Sequence, residues 1–263
     1  MYAAQALSAG SMTHNQDFCG RTALVTGAAS GIGSACARAL DERGAGKLIL
    51  VDVDEAGLAA LELDCEVQRI VGSVADPDLW KELEASLPRI DHAVVNAGIG
   101  AGGTIDQLTL TEWRRVMDVN LDGAFLTLST ALRCIPDSGG SVVVVASTTG
   151  VKPVPGVGPY GISKAAVAHM ARIAAAENAG KNIRINAIAP GGVDTAIWEG
   201  SPDFVAAAEK HGRDVAIKCM ATTTPNGRFA TSDEMAGSIL YLLSDAASNI
   251  TGSVLVSDGG FTL

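Results

Sequence analysis

RTALVTGAASGIGSACARALDER, residues 21–43, decides how the rest of the chain is read. Arg21 to Thr26 is a short apolar run that predicts a strand, and the alanine-rich stretch to about Arg43 predicts a helix. Between them lie Gly27, Ser30, Gly31, Ile32 and Gly33, in the spacing G-x-x-x-G-x-G. Glycine lets a backbone approach a pyrophosphate, and a helix N-terminus supplies free N–H groups and the positive end of its dipole. An ordinary tight turn would use the same glycines, so the next element decides. Lys47 to Val51 is a second buried strand, and it ends at Asp52. An acid at that strand tip can accept hydrogen bonds from both hydroxyls of an adenosine ribose.

The same alternation runs outward along the chain. Val67–Val71 predicts a third strand, Pro77–Ser86 a helix and His92–Val95 a fourth strand, which ends in Asn96-Ala97-Gly98. Glycines follow at 98, 100, 102 and 103, so the backbone there is a loop that can approach a ligand. Thr111–Leu132 carries apolar residues at helical spacing around Asn120. Val142–Ala146 is an unbroken, mostly β-branched run, the mark of a parallel strand buried on both faces. Ile183–Ala189 is a sixth strand, followed by Pro190-Gly191-Gly192-Val193-Asp194-Thr195. From Ala196 to about Arg228 the pattern loosens into a polar, helix-prone excursion, read as a lid over a ligand. Ser232–Ser244 is an amphipathic helix, and Val254–Val256 a last strand before Ser257-Asp258-Gly259-Gly260. With no linker or repeat, residues 20–263 read as one doubly wound parallel sheet (a Rossmann fold) of about seven strands. Residues 1–19 read as a flexible arm or non-native remnant, with Met12 as an alternative start.

Composition narrows the partners. Aromatics are 4% of 263 residues while apolar residues are 48%, so the core is aliphatic and alanine-rich. A formal net charge of −10 argues against nucleic acid or an anionic membrane surface, because phosphates would be repelled. No apolar run approaches the roughly 20 residues that span a bilayer. Cys19, Cys36, Cys65, Cys134 and Cys219 show no C-x-x-C spacing and are odd in number, which reads as reduced thiols in the cytoplasm. His14, His92, His169 and His211 show no metal spacing either, so no metal is expected.

The chemistry is read from STTGVKPVPGVGPYGISK, residues 147–164. If Tyr160 opens a helix, Lys164 lies one turn on and on the same face. An ammonium beside a phenol favours the phenolate, drawing the tyrosine below its ordinary value of about 10. A tyrosine so poised can pass a proton to or from a substrate oxygen, and Ser147 can hydrogen-bond that oxygen.

With these residues in order, the chain resembles the single-domain short-chain dehydrogenase/reductase family over residues 20–263. The motifs that carry the likeness are Thr26-Gly27-x-x-x-Gly31-x-Gly33, Asn96-Ala97-Gly98, Asn120, Ser147, Tyr160-x-x-x-Lys164 and Pro190-Gly191-x-x-x-Thr195. The resemblance implies that Tyr160 is the general acid/base, Ser147 polarises the substrate oxygen, and Lys164 tunes Tyr160 and holds the nicotinamide ribose. Asn120 would anchor a water in a proton relay. Gly27, Ser30, Gly31, Ile32 and Gly33 would wrap the pyrophosphate, and Asn96, Ala97 and Gly98 would line the adenosine and central ribose region. Pro190, Gly191, Val193 and Thr195 would clamp the nicotinamide carboxamide. The family often has Asp-Val where this chain has Ser73-Val74, which weakens the adenine contact expected there. Ala146-Ser147 stands where two serines are usual, and the helix between the third and fourth strands is short.

The resemblance implies hydride transfer between a secondary alcohol or ketone and NAD, in a homotetramer. The choice of NAD rests on Asp52: at an effective dielectric near 20, two unit charges at about 4 Å already cost about 4 kcal/mol, so a 2′-phosphate is disfavoured. Ser30 and Val53 stand where NADP-using members place basic residues. The substrate pocket should draw on Ile99, Ser147, Thr149, Val154, Pro155, Tyr160, Gly192 and Trp198, a mostly apolar set suited to a cyclic or otherwise hydrophobic alcohol. Enoyl reduction or dehalogenation on the same fold, and a non-catalytic dinucleotide sensor, are the alternative readings.

Overall fold

β1 (Thr22–Thr26) pairs in parallel with β2 (Lys47–Asp52) on one side and with β4 (His92–Val95) on the other. The computed structural model describes residues 16–87 and 89–263; the reading of residues 1–15 as a loose arm lies outside them. Among the described residues β3 (Glu66–Val71), β5 (Gly140–Val145), β6 (Ile183–Pro190) and β7 (Val254–Ser257) complete one seven-stranded parallel sheet. Its order is β3-β2-β1-β4-β5-β6-β7, so the strand order reverses beside β1, as expected of a doubly wound sheet.

Both faces are covered, which is why the strands read as unbroken aliphatic runs. Val143 and Val145 face a layer built by α1 (Gly31–Glu42) and α9 (Ser232–Leu243). Val142 and Val144 face α3 (Pro77–Ser86), α5 (Gly123–Cys134) and α6 (Gly158–Asn178). Alanines on α1 and α6 let those helices sit close to the sheet. Thr231 begins α9 with a reciprocal cap: Glu234 N–H donates to its Oγ1 at 3.1 Å, and its own N–H donates to Glu234 Oε2 at 2.8 Å.

Three details depart from the pattern in the sequence. The helix expected over 111–132 is two helices, α4 (Leu110–Met117) and α5, joined by one wide π turn at Asp118–Asp122. A short α2 (Glu55–Ala59), not read from the sequence, follows β2, whereas the helix-prone excursion 196–228 holds two helices, α7 (Pro202–His211) and α8 (Arg213–Ala221), as its pattern suggested. Of residues 16–19, read as part of the arm, Phe18 is packed, 0% exposed beneath Arg43, whose guanidinium carbon is 5.0 Å from the ring centre, while Gln16, Asp17 and Cys19 are exposed.

At the amino ends of the strands lies a polar cavity of about 380 Å³, lined by Arg21, Arg89, Asp91, His92, Arg184 and Asp245 among others. Its charges are consumed internally. Arg184 donates to the Leu242, Leu243 and Ser244 carbonyls at the end of α9, and Arg21 and Arg89 pair with Asp91. His92 packs edge-on against Phe18, and its Nδ1 lies 2.8 Å from Ser141 Oγ. That hydroxyl already donates to Leu243 O, so Nδ1 carries the proton and donates.

Burial pushes the His92 imidazole down to about 4; Arg21 and Arg184 act in the same sense, while Asp91 and Asp245 oppose them. The unfolded chain takes up this proton at about 6.5, so stability should fall as pH drops from about 6.5 toward 4. His92→Gln should remove on the order of 2 kcal/mol of that acid-side loss, read from urea unfolding of both proteins at pH 7.5 and 4.5. Equal acid sensitivity in the two proteins would exclude His92 as the group responsible.

Candidate active site

The glycine loop is held from two sides before any ligand is considered. Thr26 Oγ1 accepts from the N–H groups of Asn96 (3.0 Å) and Ala97 (3.2 Å), and the Asn96 amide donates back to the Thr26 and Gly27 carbonyls. Gly27 and Gly31 have φ of +63° and +53°, where a side chain is strained. A Cβ on Gly33 would overlap the Gly27 carbonyl. Helix α1 starts at Gly31 with no side-chain cap from Ser30 and no acid in its first turn, so its amide groups are free to meet an anion. The loop fits a diphosphate.

Asp52 closes the adjoining side. Its Oδ2 accepts from Ala29 N at 2.9 Å and its Oδ1 from Asp54 N at 3.0 Å, so the carboxylate is fixed beside the loop by backbone amides. Val53 next to it is 68% exposed. Ser73 spends its hydroxyl on Ala75 N (3.2 Å). Val74 turns into the core over Gly123, and its carbonyl accepts from the Trp80 indole at 2.8 Å.

The carboxyl end of β5 brings the reactive groups together. Ser147 is buried at the strand tip, and its Oγ accepts from Thr149 N (3.2 Å) and Thr149 Oγ1 (3.0 Å). Tyr160 stands in the first turn of α6, and Lys164 one turn on is buried, its Nζ 5.7 Å from the centre of the Tyr160 ring. The ammonium donates to Val145 O at 2.8 Å. Asn120 lies in the wide turn, 1% exposed; its Oδ1 accepts from Ile99 N, and its Nδ2 donates to Ile99 O and to Ser163 Oγ. A side chain at Gly98 would meet Asn120 Oδ1 and Lys164 Nζ, each at 3.3 Å, so glycine keeps the space between them clear.

Burial raises the Tyr160 phenol above its ordinary value, and the Ser147 hydroxyl beside it works in the opposite direction. Burial also brings the Lys164 ammonium down to about 8. This corrects the expectation that Lys164 draws Tyr160 below its ordinary value. Desolvation outweighs the Ser147 hydrogen bond at the phenol, and the ammonium is directed at the Val145 carbonyl.

Pro190 ends β6, and Gly191 packs on Asp258, leaving no room for a side chain. Val193 bridges to Ala230, and Thr195 Cγ2 comes within 3.1 Å of where a Gly31 Cβ would stand. The segment therefore reaches back to the glycine loop. Gly192 lies beneath the Phe229 ring, which a Cβ would overlap. Phe229 stacks on Trp198 at 5.1 Å, and the Trp198 indole donates to Val193 O at 2.8 Å. Thr149 and Val154 are half-buried on the far side of the serine, and Pro155 is exposed.

Sequence reasoning named Thr26 only as part of the glycine motif, without a role, and passed over Ser163, Phe229 and Arg213. Thr26 and Ser163 left a signal, as a polar end to an apolar strand and as a hydroxyl one turn from Tyr160. Phe229 left none.

A family model described as enoyl-(acyl carrier protein) reductase matches residues 27–262. The chain is 37% identical to cis-4-hydroxycyclohexanecarboxylate dehydrogenase of Sinomonas cyclohexanicum, over 93% of this chain and 98% of that one. It is 34% identical to a 3β-hydroxysteroid dehydrogenase of Mediterraneibacter gnavus, over 91% and 94% respectively. Among solved structures it is similar to levodione reductase, with a TM-score of 0.85 and 33% identity over 92% of this chain and 98% of that one.

Proposed function

The chain belongs to the short-chain dehydrogenase/reductase family, and from that premise we propose that it interconverts an apolar, cyclic secondary alcohol and its ketone with NAD. The observation that carries the reading is the convergence of Ser147, Tyr160, Lys164 and Asn120 at the carboxyl edge of β5, around the space Gly98 leaves clear. When bound, a nicotinamide supplies the carbon that takes or gives the hydride. The protein's share is the proton. Tyr160 takes the hydroxyl proton as the alcohol is oxidised and returns one as the ketone is reduced. Ser147 donates to the same oxygen. Lys164 steadies the phenolate while it is charged, below about 8. Asn120, tied to Ile99 and Ser163, holds the exit for that proton. Because burial raises the phenol, the protein at neutral pH is set to give a proton, and oxidation calls for higher pH than reduction.

Gly27 to Gly33 would carry the pyrophosphate on the open start of α1, Asp52 and Val53 the adenosine ribose, and Ser73, Asn96, Ala97 and Gly98 the surrounding wall, with Val74 left to the core. Pro190, Gly191, Val193 and Thr195 would clamp the carboxamide, with residues 196–228 as the cover. Thr149, Val154, Gly192 and Trp198 would bound the substrate. The apolar side chains of Val154 and Trp198 support a ring-shaped substrate, as do two relatives whose names specify a cyclohexane and a steroid. The exposed apolar residues Tyr241, Leu255 and Val256, on α9 and β7, support pairing with a second copy across a two-fold axis. No helix among the described residues is long and apolar enough to cross a membrane.

The direct test is a panel of cyclic and open-chain secondary alcohols and ketones, with an enoyl thioester as control, followed by nicotinamide absorbance. Turnover of the thioester alone would overturn the reading. Tyr160→Phe removes the transferable proton and should lower kcat by at least about a hundredfold while NAD binding holds, as calorimetry would register. A tenfold or greater preference for NAD over NADP is expected of the native protein. It should move toward NADP in Asp52→Ala/Val53→Arg, and kcat/KM for both cofactors would measure the move. Light scattering at micromolar concentration should return a tetramer mass; a monomer would contradict the pairing.

A further inference from the structure

Arg213 opens α8, where a helix least favours a cation, because that end of its dipole is positive. Gly212 before it joins α7 to α8, its N–H donating to Ala208 O at 2.8 Å and its carbonyl accepting from Ala216 N at 3.1 Å, and holds φ +86°, ψ 148°, a conformation that only glycine adopts freely. Local helix energetics therefore do not account for the arginine. Its contacts do. Nη1 lies 2.7 Å from Asp194 Oδ1, and Nη2 donates to Thr195 O at 3.4 Å. Both partners belong to the segment after β6, whose other edge is held by the Val193–Ala230 bridge and by Asp194 N donating to Ala230 O at 3.0 Å. The excursion thus grips that segment at two places, at the start of α8 and at its own exit. Within it, Ala216 and Ile217 of α8 bury against Phe204 of α7, with Trp198 and Phe229 packed on the same cluster. A shift of residues 191–195 is passed to the whole cover.

We propose that Arg213 is a positioning residue that makes the cover follow the nicotinamide clamp. As residues 193–195 close on a bound cofactor, Asp194 and the Thr195 carbonyl draw α8 with them, and α7 follows about Gly212. The inference rests on the reading above that this segment faces the nicotinamide. Both partners of the ion pair are about two-fifths exposed, so its loss should weaken NAD binding about threefold to fivefold rather than abolish it.

The test compares the native protein with Arg213→Gln, Asp194→Asn, Arg213→Lys and the exchange Asp194→Arg/Arg213→Asp. Amide hydrogen exchange with and without NAD is measured alongside the calorimetric Kd. In the native protein NAD should slow exchange both in residues 27–34 and in residues 204–221. Arg213→Gln and Asp194→Asn should keep the first protection, lose most of the second and raise Kd about threefold to fivefold. Arg213→Lys, which keeps the charge without the two-pronged donor, should fall between. The exchanged pair should regain protection of 204–221, a recovery that mere damage to α8 would not give. The proposal fails if Arg213→Gln keeps full protection there, if the exchanged pair is no better than the single variants, or if native protection is confined to 27–34. Absence of protection in both regions of the native protein would instead overturn the cofactor site itself.

Discussion

The carboxyl edge of the sheet depends on the parting of the chain at β1. The connection from β1 to β2 runs through α1 over one face, and that from β3 to β4 runs through α3 over the other. A crevice must open between the loops that leave β1 and β4. Left alone, those loops would carry buried amides and carbonyls without partners. Thr26 and Asn96 answer this with two side chains. One hydroxyl accepts two backbone N–H groups, and one amide donates to two carbonyls. The turn is fixed by the fold itself, and a ligand meets amides already in place.

The reactive groups are governed by the same economy of partners. Lys164 is buried with one carbonyl accepting its hydrogen bond, and burial lets it hold its charge only up to about pH 8. Tyr160 is shielded from water and keeps its proton more firmly than a free phenol. Each group alone is disfavoured in its charged form. Side by side, the charge of one is the natural compensation for the charge of the other.

Much of this was legible in the sequence, for identifiable reasons. Strands buried on both faces leave continuous aliphatic runs such as Val142–Val145, which no surface strand can imitate. The glycine loop was legible because a strand precedes it and a helix follows. The wide turn at Asn120 was not, because it answers to bonds with Ile99 and Ser163, 21 and 43 positions away. Nor was the place of Gly192 beneath Phe229, set by a chain that leaves for two helices and returns. The balance at Tyr160 was misjudged for a similar reason: spacing reveals the neighbouring lysine, whereas desolvation is set by elements remote in sequence. Val74 shows the limit at its plainest, since its position after β3 suggested a ligand contact while its side chain serves the packing over α5.

Because Asp118–Asp122 is a single wide turn within an otherwise helical run, the stretch from Leu110 to Cys134 carries a count as well as a pattern. Such a turn holds one residue more than ordinary helix needs. Removing one residue inside the turn would let the run close as ordinary helix with both flanks keeping their faces, but would carry Asn120 off Ile99. Removing one from α4 or from the start of α5 would instead turn Leu128 and Ala131 by about 100° relative to α4, so no single deletion in the run spares both the core face and Asn120. The loop from Gly100 to Thr109, beyond the bonds of Ile99 to Asn120, has no such phase to keep. Length variation among descendants of this chain would accordingly gather in that loop and leave the helix untouched, even where its letters change freely.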